Sequence, residues 1–335
     1  MKQLSIYISI LSAIMATSCS KHEVQEQKGI PMSFYAEDST EKTRALLNTE
    51  GVNQNDNVLT VYDLYTTSSN DKILYMDDTP VRYTDGNWTY SPLKYWTETG
   101  THSFMAYLSE SGNTTLNTTN YPKVTYDENL ETLNISPWEI TLDNQFDFLY
   151  AYHSRSMNEA EPHRPVEFSL NHLLCAVQFN VVNLMPTVTI QNPTFTLNGI
   201  YQKGSVSITK GVPVINLTKT DTEKSNFSSY DSKVLEYNVP HNVFSGISNV
   251  GPEGYVLLWP HTEEQFKNNI SVFISYYSSA VLDYVYKTIN LSDDAATNNW
   301  RAGNRYIYNF YIQDNRISFE VKVVPWVVDD VIIEE

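Results

Sequence analysis

Cysteine, glycine and cationic residues are scarce in this 335-residue chain, and each scarcity excludes a class of protein. Two cysteines are too few for a disulfide framework or a thiolate metal site. The 12 glycines form no glycine-rich phosphate loop. With 22 Lys and Arg against 39 Asp and Glu, the net charge is -17. An acidic surface repels nucleic acids and anionic lipid head groups, so we expect no nucleic-acid partner.

Long apolar runs are also missing, and the only notable one lies near the N-terminus. Leu4 to Met15 follows the positive start Met1-Lys2 and is too short to span a bilayer, so it reads as a cleavable secretory signal. Small residues precede Cys19, which is the pattern of a bacterial lipoprotein signal whose thiol is acylated. We predict a signal peptide over residues 1–18 and lipidation at Cys19. The alternative is an ordinary signal peptide with an incidental cysteine.

Aromatic and β-branched residues dominate the remainder. The chain has 24 Tyr, 13 Phe and 6 Trp, which are typical of half-buried strands, and no long helical periodicity follows residue 20. Short apolar-alternating segments recur with turn signals about every 8–12 residues. The sequence therefore predicts an all-β fold of two tandem sandwiches. We place the domains at 45–160 and 161–335, divided by the polar stretch from Ser154 to Pro165.

The predicted strands share period-two alternation or short apolar runs between turn residues. They are Val58–Tyr65, Ile73–Met76, Val81–Tyr83, Asn87–Tyr90, His102–Leu108, Lys123–Tyr126, Phe146–Tyr152, Val166–Leu170, Leu173–Val181, Thr194–Leu197, Val206–Thr209, Leu235–Val239, Tyr255–Trp259, Ile270–Tyr277, Val281–Ile289, Tyr306–Gln313 and Ile317–Val323. Asp85-Gly86 predicts a hairpin turn. Glu263–Asn268 and Ser292–Asn299 are the only candidate helical turns.

Residues 19–44 form a separate N-terminal segment. A polar tether leads to a short strand whose apolar face consists of Ile30, Met32, Phe34 and Ala36. The polar stretch that follows ends in Arg44-Ala45. A single arginine in a polar loop is usually only a solvated charge. Its position between one strand and the first predicted domain makes this bond a candidate protease site.

The aromatic blocks of the chain resemble those of the fimbrillin-like proteins, the subunits of Bacteroidales surface fimbriae (type V pili). The blocks occur in the family's order and cover nearly the whole mature chain, beside Cys19 and Thr43-Arg44-Ala45. They are Trp88–Trp96, His102–Tyr107, Asp147–Ala151, Val166–Phe179, Gly254–Pro260, Trp300–Tyr308 and Val323–Trp326.

This resemblance implies two transthyretin-like β-sandwich domains and export as a lipoprotein to the outer membrane and cell surface. It also implies that an Arg-specific protease cuts between Arg44 and Ala45, and that subunits polymerise with themselves or with other fimbrial subunits by strand exchange. Loss of the first strand would open a sheet edge that another chain can occupy.

The C-terminus is the candidate donor of that replacement strand. Its β-prone residues are Trp326, Val327, Val328, Val331, Ile332 and Ile333. The alternative is that this segment folds back as the last strand of its own domain. The position of the subunit in the shaft, at the base or at the tip of a fibre stays open, as does a role as tip adhesin.

The sequence offers no strong catalytic constellation, so we expect no enzymatic activity, cofactor or metal. His172 and Cys175 are close, but on one strand they would point to opposite faces. Cys175 shares an apolar face with its alternate neighbours, which predicts a buried, inert thiol. Adjacent acids such as Asp77-Asp78 are usually solvated in turns.

A surface glycan-binding lipoprotein is the main competing hypothesis. Trp88, Trp96, Trp138 and the tyrosines would then form a stacking platform for sugar rings. Core packing of these residues is the favoured interpretation, because Trp88 alternates with Tyr90 and Trp96 sits near Pro92, as in sandwich cores and corners.

Overall fold

The structure is a computed structural model that describes residues 29–38, 52–110, 122–140, 146–185, 187–218, 255–267, 270–293, 298–313 and 316–325. Cys19, Arg44, Ala45, the predicted strand Leu235–Val239 and the candidate donor residues from Trp326 to Ile333 lie outside these ranges. Within them the chain is nearly all β, so the prediction of an all-β fold is confirmed.

The described residues form eighteen strands, one short helix and a 3₁₀ turn at Leu291–Asp293. In chain order they are β1 Phe34–Asp38, β2 Val58–Thr66, β3 Lys72–Thr84, β4 Asn87–Thr89, β5 Thr101–Glu110, β6 Val124–Asp127, β7 Thr132–Glu139, β8 Leu149–Ser156, β9 Val166–His172, β10 Cys175–Asn183, β11 Ile190–Asn198, β12 Lys203–Thr209, β13 Val212–Thr218, β14 Val256–Leu258, α1 Glu263–Phe266, β15 Ser271–Ser278, β16 Asp283–Asn290, β17 Asn304–Gln313 and β18 Arg316–Pro325.

These strands form four sheets. A seven-stranded sheet has the order β1-β9-β8-β5-β2-β3-β4, and a four-stranded sheet has the order β13-β12-β7-β6. The remaining strands form a four-stranded sheet, β14-β10-β17-β18, and a three-stranded sheet, β11-β15-β16. Most neighbours are antiparallel, while β1 with β9 and β10 with β17 are parallel pairs.

The seven-stranded sheet is covered on both of its faces. Eight of the nine residues of β2 are buried, which period-two alternation allows only when neither face meets water. One face holds the core cluster that contains Phe104 and Trp96. The other face packs in a second cluster with Trp138 and Trp259. A third cluster, which includes Phe179, fills the space between the last two sheets.

Strands from beyond residue 160 complete the sheets of the N-terminal half. β9 pairs with β1 and β8, and β12 pairs with β7. The predicted division at residues 160 and 161 therefore does not coincide with the sheet boundaries. The two domains, as independently folding units, stay a prediction.

Turn chemistry was predicted well, whereas two strands that contain a proline were missed. Asp85 and Gly86 both have positive φ, 49° and 86°, and join β3 to β4 in the expected two-residue hairpin. Helix α1 lies in the predicted helical turn and begins with a capping box at Thr262. The sequence did not predict β7 or β13. The two predicted strands at 73–76 and 81–83 form one long strand, β3, whose pairing with β2 is irregular beside Asp78.

Candidate functional site

Strand β1 closes the seven-stranded sheet and is held on both sides. On one side it pairs in parallel with β9, with Phe34 opposite Val166 and Ala36 opposite Phe168. On the other side the residues just before β1 bridge to the segment 94–96, which follows β4. There the Met32 amide donates to the Lys94 carbonyl at 2.8 Å. We name residues 31–38 the ribbon. Without the ribbon, β9 and the segment 94–96 would each lose a hydrogen-bonding neighbour.

The ribbon contributes three core side chains. Met32, Phe34 and Ala36 are only 2%, 6% and 0% exposed. Ile30 was predicted on the same face, but it is 42% exposed although its carbonyl accepts a hydrogen bond from the Trp96 amide at 3.2 Å. The buried face therefore has three members, not four. Alternate residues such as Tyr35 point to solvent, as the period of a strand requires.

Phe34 occupies the centre of an aromatic cage. Its ring stacks on Phe168, with centroids 5.7 Å apart and planes 6° apart. Tyr90 and Phe104 contact it edge-on at 5.3 and 6.1 Å. Such aromatic pairs contribute about 0.5–1.5 kcal/mol each beyond the burial of area. The cage is thus a shaped pocket for one large aromatic or aliphatic side chain.

A tyrosine hydroxyl fixes the backbone of the ribbon above this cage. The Tyr90 hydroxyl lies 3.1 Å from the Met32 carbonyl and accepts a hydrogen bond from the Lys94 amide at 3.2 Å. The phenol keeps its proton at neutral pH and can donate, and burial raises the pKa of Tyr90 further, to about 12. Any strand that replaced β1 would need to present a carbonyl at this position.

A buried polar chain lies behind the cage. The His102 ring stacks on Phe104 at 5.8 Å, its Nδ1 lies 2.7 Å from Asp63 Oδ2, and its Nε2 lies 3.0 Å from the Thr97 hydroxyl. Asp63 and His102 are fully buried. Burial raises the pKa of Asp63, while the charge and hydrogen bond of His102 oppose that shift.

The order of hydroxyl, imidazole and carboxylate in Thr97, His102 and Asp63 resembles a catalytic triad, but its hydrogen bonds have the directions of a structural network. The Thr97 hydroxyl donates to the Thr99 carbonyl at 2.9 Å, so it must accept the hydrogen bond from His102. A nucleophile would instead give its proton to the imidazole and would need access for a substrate. Thr97 is buried and offers no such access. Sequence reasoning missed this group because Asp63 is 39 residues from His102.

The residue pair considered as a nucleophile and its base is separated in the structure. His172 ends β9, and its Nδ1 lies 2.8 Å from Asp147 Oδ2. Cys175 begins β10, is fully buried and directs its Sγ to the Leu258 carbonyl at 3.4 Å. The two residues therefore lie on separate strands. Burial raises the pKa of the Cys175 thiol far above its ordinary value, so it is unreactive in the folded protein.

The proposed tryptophan platform for sugars is wrong. Trp88, Trp96 and Trp138 are all buried. Trp88 donates its indole N–H to Asn53 at 2.9 Å, and Trp138 packs edge-on against Trp259 at 5.4 Å. Buried indoles cannot stack on a soluble glycan.

The part of the chain that the structure describes lacks two features. No group of three or more His, Cys, Asp or Glu side chains there could hold a metal ion. Nor does any helix within those ranges have the length and apolarity to cross a membrane.

The profile of a protein family described as fimbrillin-like matches residues 43–326, which is most of the sequence. The chain belongs to the fimbrillin-like family. Among curated proteins, no sequence matches this fimbrillin-like chain.

Solved structures resemble this fimbrillin-like protein in fold. A fimbrial protein from Bacteroides vulgatus superimposes with a TM-score of 0.61 at 14% identity, covering 89% of this chain and 100% of that one. A fimbrial assembly protein from Parabacteroides distasonis (TM-score 0.40, 12% identity) covers 88% of this chain and 98% of its own. The tip fimbrial protein Mfa3 from Porphyromonas gingivalis (TM-score 0.40, 10% identity) covers 89% and 99%. The last two likenesses are too distant to carry an argument.

Proposed function

We propose that this protein is a structural subunit of a surface fimbria that polymerises by exchange of β1. In this account it is exported as a lipoprotein acylated at Cys19. An Arg-specific protease then cuts between Arg44 and Ala45, β1 leaves with the lipid, and an extended segment of a neighbouring subunit takes its place. Membership of the fimbrillin-like family supports the fimbrial role and a location at the cell surface. The burial of Met32, Phe34 and Ala36 in the core supports the exchange.

The energetics favour an occupied groove. Burying a Met or Phe side chain stabilises by about 1.5–3 kcal/mol each, so Met32 and Phe34 together contribute roughly 3–6 kcal/mol before backbone hydrogen bonds are counted. Backbone pairing to β9 and to Lys94 adds to this, and the ordering of an incoming segment subtracts from it. A vacated groove would expose apolar cage residues and an unpaired strand edge, which is a template for another strand.

The position of Arg44 makes β1 separable. β1 ends at Asp38, and Arg44 follows six residues later in a polar stretch. After a cut at this bond only non-covalent contacts would retain β1. Before the cut the strand is tethered, and its high local concentration excludes a competitor from another chain.

The C-terminal tail, residues 326–335, is the candidate donor strand. It could enter the groove in two frames, which differ in the set of alternate side chains that faces the cage. Alternate positions place either Val327, Asp329, Val331 and Ile333, or Trp326, Val328, Asp330 and Ile332, on one face. The groove takes three alternate apolar side chains, so each frame brings one aspartate towards the cage. An unpaired carboxylate there is costly, and its removal should strengthen binding in only the frame that is used.

The experiment uses the full chain with Cys19→Ser, digested by an Arg-specific protease, and a fluorescent peptide of residues 326–335. We expect cleavage after Arg44, release of β1 and a rise in peptide anisotropy. The Arg44→Ala chain should keep β1 and bind no peptide. We also compare the peptides Asp329→Val and Asp330→Val with the unmodified peptide. One variant should bind at least about tenfold more tightly than the unmodified peptide, and the other should bind as the unmodified peptide does. The variant that gains affinity identifies the frame that enters the groove.

A second peptide, residues 316–325, serves as a positive control for an open groove. Ile317, Phe319 and Val321 reproduce the order of Met32, Phe34 and Ala36 around a central phenylalanine. In the subunit β18 is paired along its length with β17, so it is not free to donate. If the cut chain has lost β1, stays folded by circular dichroism and binds neither peptide, strand exchange at this groove is wrong.

A further inference from the structure

The outer face of the three-stranded sheet β11-β15-β16 carries a cluster of exposed rings, which we name the tyrosine face. It consists of Phe273 and Tyr277 on β15 and of Tyr284 and Tyr286 on β16. Residues of β15 alternate strictly between the two faces of the sheet, and Val272, Ile274 and Tyr276 face the core. Tyr284 and Tyr286 are 44% and 61% exposed. Isolated exposed aromatics need no explanation, whereas a contiguous cluster on one face does.

The rings of the tyrosine face touch one another. Phe273 and Tyr286 have centroids 6.0 Å apart and planes 19° apart, and Tyr284 and Tyr286 are 6.4 Å and 25° apart. Tyr277 meets Tyr284 edge-on at 5.8 Å. Cross-strand pairing fixes this arrangement, because Tyr277 is directly opposite Tyr284. The result is a continuous aromatic surface on one face of the sheet.

Neutral hydrogen-bonding side chains surround the rings. Thr288 lies opposite Phe273 on one side, Thr196 lies opposite it on the other, and Asn290 is paired with Ser271. The outward positions that the structure describes on β11, β15 and β16 include no charged residue. This is unexpected on a chain in which 18% of residues are charged and the net charge is -17.

The edge of this sheet is protected against strand addition, so the face rather than the edge is the available surface. β16 has only β15 as a neighbour among the described strands. Its exposed Asp283 and Lys287 occupy the positions that alternate with the tyrosines, opposite Ser278 and Ile274. Charges on the inward side of an edge strand are a common device against pairing with another strand.

We propose that the tyrosine face binds a neutral polysaccharide. The C–H face of a pyranose ring stacks on an aromatic ring, and the sugar hydroxyls pair with hydroxyl and amide side chains such as those around the rings. An uncharged face matches an uncharged ligand, while the net charge of -17 repels anionic polymers. This site is separate from the β1 groove and gives the subunit a binding activity of its own.

Affinity electrophoresis of the intact mature chain in neutral detergent tests this proposal. The gels contain dextran, laminarin, yeast mannan or galactomannan, with alginate as the anionic comparison. We expect at least one neutral polysaccharide, and not alginate, to retard the protein. Tyr284→Ala and Tyr286→Ala should each weaken binding about tenfold, whereas Tyr286→Phe should retain most of it, because the ring remains.

Tyr35→Ala is the matched control in the uncleaved chain, which still carries β1, since Tyr35 is 47% exposed and lies outside the tyrosine face. It should bind as the unmodified protein does, and thermal unfolding should show that every variant is folded. Retardation by none of the four neutral polysaccharides would overturn the proposal. So would retardation that survives Tyr284→Ala with Tyr286→Ala. If the double variant changes only the sedimentation coefficient and not the retardation, the tyrosine face contacts another protein molecule and not a polysaccharide.

Discussion

At the scale of single residues, His261 is buried in a form that fixes its protonation state. Its Nδ1–H donates to the Trp259 carbonyl at 2.7 Å, and its Nε2 accepts from the Tyr201 amide at 2.9 Å. The ring also packs edge-on against Trp300 at 5.4 Å. Both nitrogens are thus used by a neutral imidazole. Burial lowers the pKa of His261 to about 4, although the bond to Trp259 opposes the shift.

This histidine predicts an acid-sensitive stability. The pKa of His261 in the folded protein lies below its ordinary value of 6.5. Between these two values His261 is protonated in the unfolded chain and neutral in the folded protein. Stability is therefore unaffected above pH 6.5 and falls as the pH drops towards 4, by about 3 kcal/mol in total. Urea unfolding of wild type and His261→Gln from pH 8 to 4.5 should show the variant losing less stability on acidification.

The matched control for this measurement is His163→Gln, because His163 is only partly buried in the loop between β8 and β9. Its pH dependence should follow that of the wild type. If His261→Gln and wild type lose the same free energy between pH 6.5 and 4.5, the buried neutral imidazole is not the cause.

Side-chain burial was predictable where alternation is strict and was not where long-range contacts decide it. Cys175 was predicted to be buried because its alternate neighbours are apolar, and it is. Ile30 was placed in the core on the same reasoning but is 42% exposed, because pairing of its backbone with Trp96 does not bring its side chain under the sheet. The hydrogen-bond network from Thr97 through His102 to Asp63 has no pattern in the nearby sequence. Its side chains meet only because β2 pairs with β5.

At the scale of elements, β1 is a strand whose two faces have opposite roles. Phe34→Ala would remove the ring at the centre of the cage and leave a cavity, which should cost about 3–5 kcal/mol of unfolding free energy. Tyr35→Ala changes the solvent face of the same strand and should stay within about 0.5 kcal/mol. Urea unfolding of the uncleaved chain with Cys19→Ser checks both values. Equal effects of the two substitutions would show that β1 is not part of the core.

Elements with one clear apolar face were predicted from sequence, and two strands interrupted by a proline were not. β7 and β13 were missed because Thr132–Glu139 and Val212–Thr218 each contain a proline, which argues against a strand, and because the valines of β13 face solvent. Their place depends on β12, which lies between them in the sheet. Similarly, β3 is continuous because β2 pairs with both of its halves.

At the scale of the whole molecule, the two halves share a core. Trp138 of β7 contacts Trp259, which follows β14, and the Trp259 indole donates to the Gln202 carbonyl at 3.0 Å. Sequence patterns predicted sandwiches but not this sharing, because turn signals report chain boundaries rather than which sheets pack together. The protein is therefore best regarded as a continuous stack of sheets whose first strand, β1, is joined through a polar segment.

In our proposal, a subunit enters a fibre only after it has lost β1. The decisive measurement is N-terminal sequencing of the subunit from purified surface fibres, together with its intact mass. We predict that the assembled subunit begins at Ala45 and contains no residues 30–36. Fibres built from subunits that begin at Cys19 and retain Met32, Phe34 and Ala36 would contradict the account.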